Sequence, residues 1–210
     1  EVALADIKMT LRLSMADYPA LFVIGPLQQA LQTSAPGIDL VIQPWHGAEA
    51  AQAGLLDGST DLAISVFPSE KDEIVRELLL DETYVVAMRS AHPAATHFDL
   101  DSWIAYPHIL VSGRGDTRTS LDATLADIQL SRRVGLVVPN FQMVPGLLMQ
   151  SDMIAMLPSR CVPGQDQASL ISFPPPIAVK GFALHLAWHR RRQADRGLQH
   201  VADLLAEILT

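Results

Sequence analysis

The sequence predicts an α/β chain built as two Rossmann-like subdomains, and three observations predict it. Strand-like and helix-like stretches alternate along the chain, which implies βαβ units on a parallel sheet. Some strands are continuous apolar runs, such as Tyr84-Val85-Val86-Ala87-Met88, as expected where a sheet is covered on both faces. The alternation begins afresh after the loop Ser90-Ala91-His92-Pro93, so a second block of βα units follows the first.

The elements follow in order. Ile7, Met9, Leu11 and Leu13 alternate with Lys8, Thr10 and Arg12, the period-2 pattern of a strand. Asp17 can cap the next helix, whose first turn tolerates Pro19. Leu21, Phe22, Ile24, Leu27 and Leu31 recur at helical spacing until Pro36-Gly37 stops the run. Ile38 to Ile42 reads as a strand, Ala48 to Asp57 as a helix ended by Gly58, and Leu62 to Phe67 as a strand. In the second block His108 to Ser112, Val134 to Val138 and Met153 to Leu157 read as strands. Thr119 to Ile128 and Phe141 to Gln150 read as helices, the latter despite Pro145, and Pro158 to Val162 as a short turn or helix. After the break at Pro174-Pro175-Pro176 come a late strand, Leu184 to Trp188, and a closing amphipathic helix carrying Leu198, Val201, Leu205 and Ile208.

That last strand and helix are too few to stand alone. Packed back on the first block, they give subdomain I as residues 1–87 plus 184–210 and subdomain II as 88–183, joined by two crossover strands. A cleft is then expected where loops leave the C-terminal ends of strands, the usual ligand position in α/β sheets.

Composition narrows the function. The 210 residues are 49% hydrophobic and 18% charged, which suits a globular core and argues against disorder. Fifteen lysines and arginines against 23 acids leave a net charge of −8, the wrong sign for gripping a phosphate backbone. The basic clusters Arg132-Arg133 and Arg190-Arg191-Arg192 read as solvated faces or strand ends. A single cysteine, Cys161, forms no disulfide framework or zinc cage by itself and suits a reducing cytoplasm. No apolar stretch approaches the roughly 18–20 residues that span a bilayer, so no membrane partner is expected. The chain opens on Glu1-Val2-Ala3-Leu4, without methionine, which reads as a trimmed start with more sequence upstream.

Four stretches together resemble the effector-binding domain of LysR-type transcriptional regulators along nearly the whole chain. They are Leu11-Arg12-Leu13-Ser14-Met15-Ala16-Asp17-Tyr18; Leu55-Leu56-Asp57-Gly58-Ser59-Thr60-Asp61-Leu62-Ala63-Ile64; Tyr84 to Pro93; and Gly181 to Arg190 followed by Asp195. The first and last look most like the branch of nodulation regulators and regulators of aromatic breakdown. The resemblance implies a type 2 periplasmic-binding-protein fold, a small-molecule effector and a homodimer or tetramer. It also implies a winged helix-turn-helix through which alone DNA is bound, and no such element is legible here.

By position, the effector should meet Ser14, Met15, Asp17, Tyr18, Phe67, Pro68, Ser112, Arg114, Thr117, Asn140, Phe141, Met143 and Phe182. Ser14 and Asp17 open a helix whose free N–H groups favour an acceptor-bearing ligand, although an ordinary N-cap accounts equally well for Asp17. The glycines of Ser112-Gly113-Arg114-Gly115-Asp116-Thr117 allow close backbone approach, though Arg114 reads equally as an exposed loop residue. Related regulators of aromatic breakdown often have histidine where Asn140 stands; an amide donates and accepts but cannot become cationic, which weighs against an aromatic carboxylate. Phe67, Phe141 and Met143 supply an adaptable apolar wall, with core packing an equal account of Met143.

No cofactor, metal or catalytic group is expected. His185 and His189 lack a third ligand, and no G-x-S-x-G, H-E-x-x-H or paired cysteines occur. The rival readings are an extracytoplasmic solute-binding protein of the same fold and, more remotely, an enzyme on it.

Overall fold

The computed structural model describes residues 3–67, 69–162 and 169–209. The chain forms two compact units, Glu1–Asp81 with Phe182–Thr210, and Glu82–Gly181. The boundaries read from the sequence, after 87 and 183, fall further along the chain. The reason is local: the strand at Tyr84–Arg89 hydrogen-bonds into the second sheet, and the strand starting at Phe182 into the first.

In the first unit Met9–Met15 (β1) runs into Asp17–Ser34 (α1), Ile38–Pro44 (β2), Ala48–Asp57 (α2), Leu62–Ser65 (β3) and Ile74–Glu82 (β4). β1 starts later than its alternation suggests, because Leu4–Asp6 forms a single 3₁₀ turn. Gly58 ends α2 in the left-handed region, φ 85°, a conformation that glycine adopts without a Cβ clash. β4 carries buried Ile74, Leu79 and Leu80 beside outward Leu78, and the sequence reading missed it. Its inward residues do not alternate cleanly, so period-2 counting passes over it.

The second unit comprises Tyr84–Arg89 (β5), Leu100–Ala105 (α3), His108–Val111 (β6), Ser120–Asp127 (α4), Val134–Val138 (β7), Val144–Met149 (α5), Ile154–Pro158 (β8) and Leu170–Phe173 (β9). Phe182–His189 (β10) and Arg196–Leu209 (α6) then return to the first unit. Where one helix was expected over Phe141 to Gln150, Phe141–Met143 is a 3₁₀ turn and α5 begins after it, with Pro145 in its first turn. Proline is tolerated there because that N–H has no intrahelical partner anyway.

The strand orders are β2-β1-β3-β10-β4 and β7-β6-β8-β5-β9. β1 pairs in parallel with β2 and β3, and β6 with β7 and β8. The sheets are mixed rather than wholly parallel: β10 runs antiparallel to β3, and β5 antiparallel to β8 and β9. A strand arriving from the other unit enters without a crossover helix of its own, so it is free to run the opposite way.

In the first unit α1 and α6 pack together, and Ala51 and Leu55 of α2 pack with Ala63, Ile74 and Ala187. In the second, Leu121 and Leu125 of α4 join Trp103, Val86 and Met88, whereas Val144 and Leu148 of α5 join Ala87, Ile109 and Ala155. Val86, Ala87 and Met88 thus bury side chains in two separate clusters of one strand, which explains an apolar run without alternation. At the second crossing, a Cβ on Gly181 would meet the Glu82 carbonyl oxygen at 2.1 Å, so only glycine fits.

Candidate functional site

The second unit contains a cavity of about 410 Å³. α4 supplies its most organised wall. Thr119 caps the helix by accepting from the Leu121 N–H at 3.3 Å, and the Asp122 carboxylate accepts from the Thr119 N–H at 2.7 Å. This capping box uses donors that would otherwise be free at a helix start. Arg132, ten positions on, closes over the same turn. Its Nε donates to Asp122 Oδ1 at 2.9 Å, and its Nη2 donates to Oδ2 at 3.1 Å and to the Thr119 hydroxyl at 3.2 Å. The Arg132 side chain is only 2% exposed. Burial alone would raise the Asp122 pKa, but the hydrogen bonds from Arg132 and Thr119 and the guanidinium charge outweigh it and lower it to about 2.

Ser120 and Thr124 add hydroxyls to this wall, and Leu121, Phe141, Met156 and Val179 add apolar surface. Tyr84 and the exposed Lys180 also line the cavity. Burial first, and the Glu82 charge second, push the Tyr84 phenol pKa up, so it stays protonated and neutral. The arrangement can enclose an apolar body and hydrogen-bond its polar end.

The first unit has a second cavity of about 390 Å³ between the ends of β1 and β2 and the alanine-rich face of α2. Ser14 lines it and is only 5% exposed, and its hydroxyl bonds to none of the described residues. Around it Thr60 donates to Gln43 Oε1 at 2.8 Å, and Gln43 Nε2 donates to the Ser59 carbonyl at 3.1 Å.

The residues expected from sequence are dispersed over these surroundings. Ser14 lines the first-unit cavity and Phe141 the second-unit cavity. Met15 and Tyr18 are buried, and Tyr18 meets Phe22 and Phe182 edge-on at 5.9 and 6.2 Å. Asp17 is the first residue of α1 rather than its cap; Ala16 holds the cap position and makes no side-chain bond. Phe67 packs against the core cluster that includes Leu55 and Ile74, and Pro68 lies outside the described residues. The Ser112 hydroxyl closes its own loop, donating to Asp116 at 3.1 Å and accepting from the Asp116 N–H at 3.0 Å. Arg114, Thr117 and Met143 are exposed. Asn140 carries a buried side-chain oxygen with no hydrogen-bond partner among the described residues.

The sequence reading missed Tyr84, Ser120, Thr124, Arg132, Met156, Val179 and Lys180 on the cavity wall. One signal was available: Thr119-Ser120-Leu121-Asp122 is a capping-box pattern, and such a box leaves a carboxylate for a nearby arginine. The arginine clusters were read as solvated, yet Arg132 and Arg192 are mostly buried on carboxylates. Sequence proximity to other arginines says nothing about a partner ten or 131 residues away.

Among the described residues no group of three or more His, Cys, Asp or Glu side chains could hold a metal ion, and no helix is long and apolar enough to cross a membrane.

A strand-helix unit with this topology, repeated across two mixed sheets, defines a periplasmic-binding-protein-like type 2 fold. The chain belongs to the LysR substrate binding domain family, whose model matches residues 5–210. It is 27% identical over 204 residues to the HTH-type transcriptional activator NagR of Ralstonia sp, covering 96% of this chain and 67% of that protein. It is 25% identical over 206 residues to the transcriptional activator NahR of Pseudomonas putida, with the same coverage of each. The crystal structure of the regulatory domain of MexT, a transcriptional activator in Pseudomonas aeruginosa, shares the fold at a TM-score of 0.79 and 24% identity, covering 95% of this chain and all of that one. The chain therefore spans about two thirds of the length of the regulators it resembles.

Proposed function

We propose that this chain is the effector-sensing part of a LysR-type regulator of transcription, and that a small organic molecule binding the second-unit cavity is its signal. The observation that carries this reading is a cavity of about 410 Å³ with apolar walls and a hydrogen-bonding end, inside a domain whose family match runs nearly end to end. Binding has a regulatory consequence only if the effector prefers one conformation of the domain over another. DNA would be met through a winged helix-turn-helix outside this stretch, in a cytoplasmic protein. A homodimer or tetramer is the expected assembly. Leu21, 51% exposed on α1, is a natural contributor to such a contact, since Val23, Leu27 and Leu31 are buried and Leu21 is not. No catalytic role is assigned.

A thermal-shift screen of phenols, aromatic acids and small neutral metabolites tests the reading. A ligand at a hundred times its Kd stabilises a domain by about 2.7 kcal/mol, which is readily measured. Saturable stabilisation that is lost in Phe141→Ala is expected. Stabilisation that survives Phe141→Ala unchanged would place the effector elsewhere, with Ser14→Ala and Asn140→Ala as the next positions to try.

A further inference from the structure

The charges around the second-unit cavity carry a statement about ligand class. The buried cation on its wall, Arg132, is already neutralised by a carboxylate that it grips through two nitrogens. Both Asp122 oxygens and the capping donors of α4 are consumed in the same cluster. Among the described residues neither the remaining guanidinium nitrogen, Nη1, nor the Ser120 hydroxyl has a hydrogen-bond partner. Lys180 is exposed, so its ammonium keeps its water and attracts an anion only weakly. Among the described residues the cavity therefore has donors to spare but no uncompensated buried charge.

For an anion this combination is poor. Stripping water from a carboxylate costs several kcal/mol, and only an unpaired opposite charge repays it. Here such an anion would enter beside Asp122 and compete with it for one guanidinium. An uncharged carbonyl or ether oxygen loses far less water and needs only a donor, which Ser120 and Arg132 offer. The apolar wall of Leu121, Phe141, Met156 and Val179 suits the rest of such a molecule. Building on the effector reading above, we infer that the cavity selects an uncharged, acceptor-bearing amphipathic molecule and discriminates against the corresponding carboxylate.

Two probes of the same shape test it, 4-hydroxyacetophenone and 4-hydroxybenzoate, which differ in a methyl against a charged oxygen. Calorimetry on the chain should give the ketone an affinity about tenfold or more above the acid at neutral pH. In Asp122→Asn, Arg132 loses its counter-charge and the preference should swing toward the acid. A measurement without substitution guards against that variant failing to fold. Binding of the acid should strengthen as pH falls toward the ligand's own carboxyl pKa, because the protonated form is then the one that binds. An acid that binds the unaltered chain as tightly as the ketone, or with no such pH dependence, overturns the inference and leaves the effector reading standing. Failure of the ketone to bind likewise overturns it. A ketone that binds equally well to Phe141→Ala removes the cavity from the effector reading itself, a distinguishable failure.

Discussion

Both units pair arginine with aspartate beside a helix-covered sheet of equivalent strand order, yet the two clusters span different stretches of chain. In the first unit Asp61, its side chain 4% exposed, receives hydrogen bonds from the Arg12 N–H and Nε at 2.8 and 2.9 Å and an ion pair from Arg192. Arg192 also holds Asp195, which in turn accepts from the Leu198 N–H at the start of α6. That cluster ties the returning end of the chain to β1 and β3, positions far apart in sequence. In the second unit Asp122 and Arg132 are only ten residues apart, and Arg132 lines a cavity. One network closes the fold; the other braces a cavity wall. The difference lies in what each pair spans, not in its chemistry.

The first way to break this comparison is Asp61→Ala, which tests the first network. Arg12 is 41% exposed and Arg192 keeps Asp195, so neither is left as a buried unpaired charge; losing the charge-assisted hydrogen bonds should cost about 1.5–3 kcal/mol. Urea melts should show that loss, with probe binding to the second-unit cavity unchanged wherever the variant is folded. A cost below about 1 kcal/mol would mean that the network is ornamental.

Acid sharpens the comparison next: it reaches carboxylates in both units, and its effects on the second come through His108 and Asp122. His108 is fully buried, and burial, partly offset by the hydrogen bond to the Trp103 carbonyl at 2.9 Å, lowers its pKa from 6.5 to about 4. The unfolded chain takes up that proton first, so stability is full above pH 6.5 and falls as pH drops to about 4. The loss is on the order of 3 kcal/mol. His108→Gln should flatten the slope of melting temperature between those values; an unchanged slope would assign it to another group. Asp122 adds a smaller contribution of the same sign, about 2 kcal/mol, held above its unfolded pKa of 3.8 and lost as pH falls to about 2. Asp122→Asn should remove that part of the acid transition.

The smallest effects concern single hydroxyls. Thr119→Ala removes the cap of α4 and should cost about 1 kcal/mol, with weaker probe binding because Arg132 loses an acceptor. Ser14→Ala should change stability by less than about 0.5 kcal/mol, since that hydroxyl bonds to none of the described residues. A larger loss in denaturant melts would show that Ser14 is structural rather than available to a ligand.

Several of these features were legible in the chain and several were not. Gly58 marked the end of α2 because its left-handed conformation is a local requirement. The alternation around Leu11 and Leu13 announced β1, and Thr119 announced α4, for the same reason. The helical spacing of Leu21, Phe22, Ile24, Leu27 and Leu31 did not select an inward face of α1: Leu21 is exposed, whereas Tyr18, Val23, Leu27 and Leu31 are buried. With apolar residues on several sides of that helix, only the sheet it packs on selects a face. Of the expected site, Phe141 and Ser14 do line cavities, whereas Ser112 spends its hydroxyl on its own loop.

The class of fold, the places of most helices and strands, and the family were legible in residue order alone. These depend on periodicity, caps and turn residues, which act over a few neighbouring positions. Which strands run antiparallel, where the chain crosses between units, and the burial of Arg132 and of most of Arg192 emerge only on folding. Each of those depends on a partner brought close by folding, and the energy of burying a charge exists only once that partner is in place.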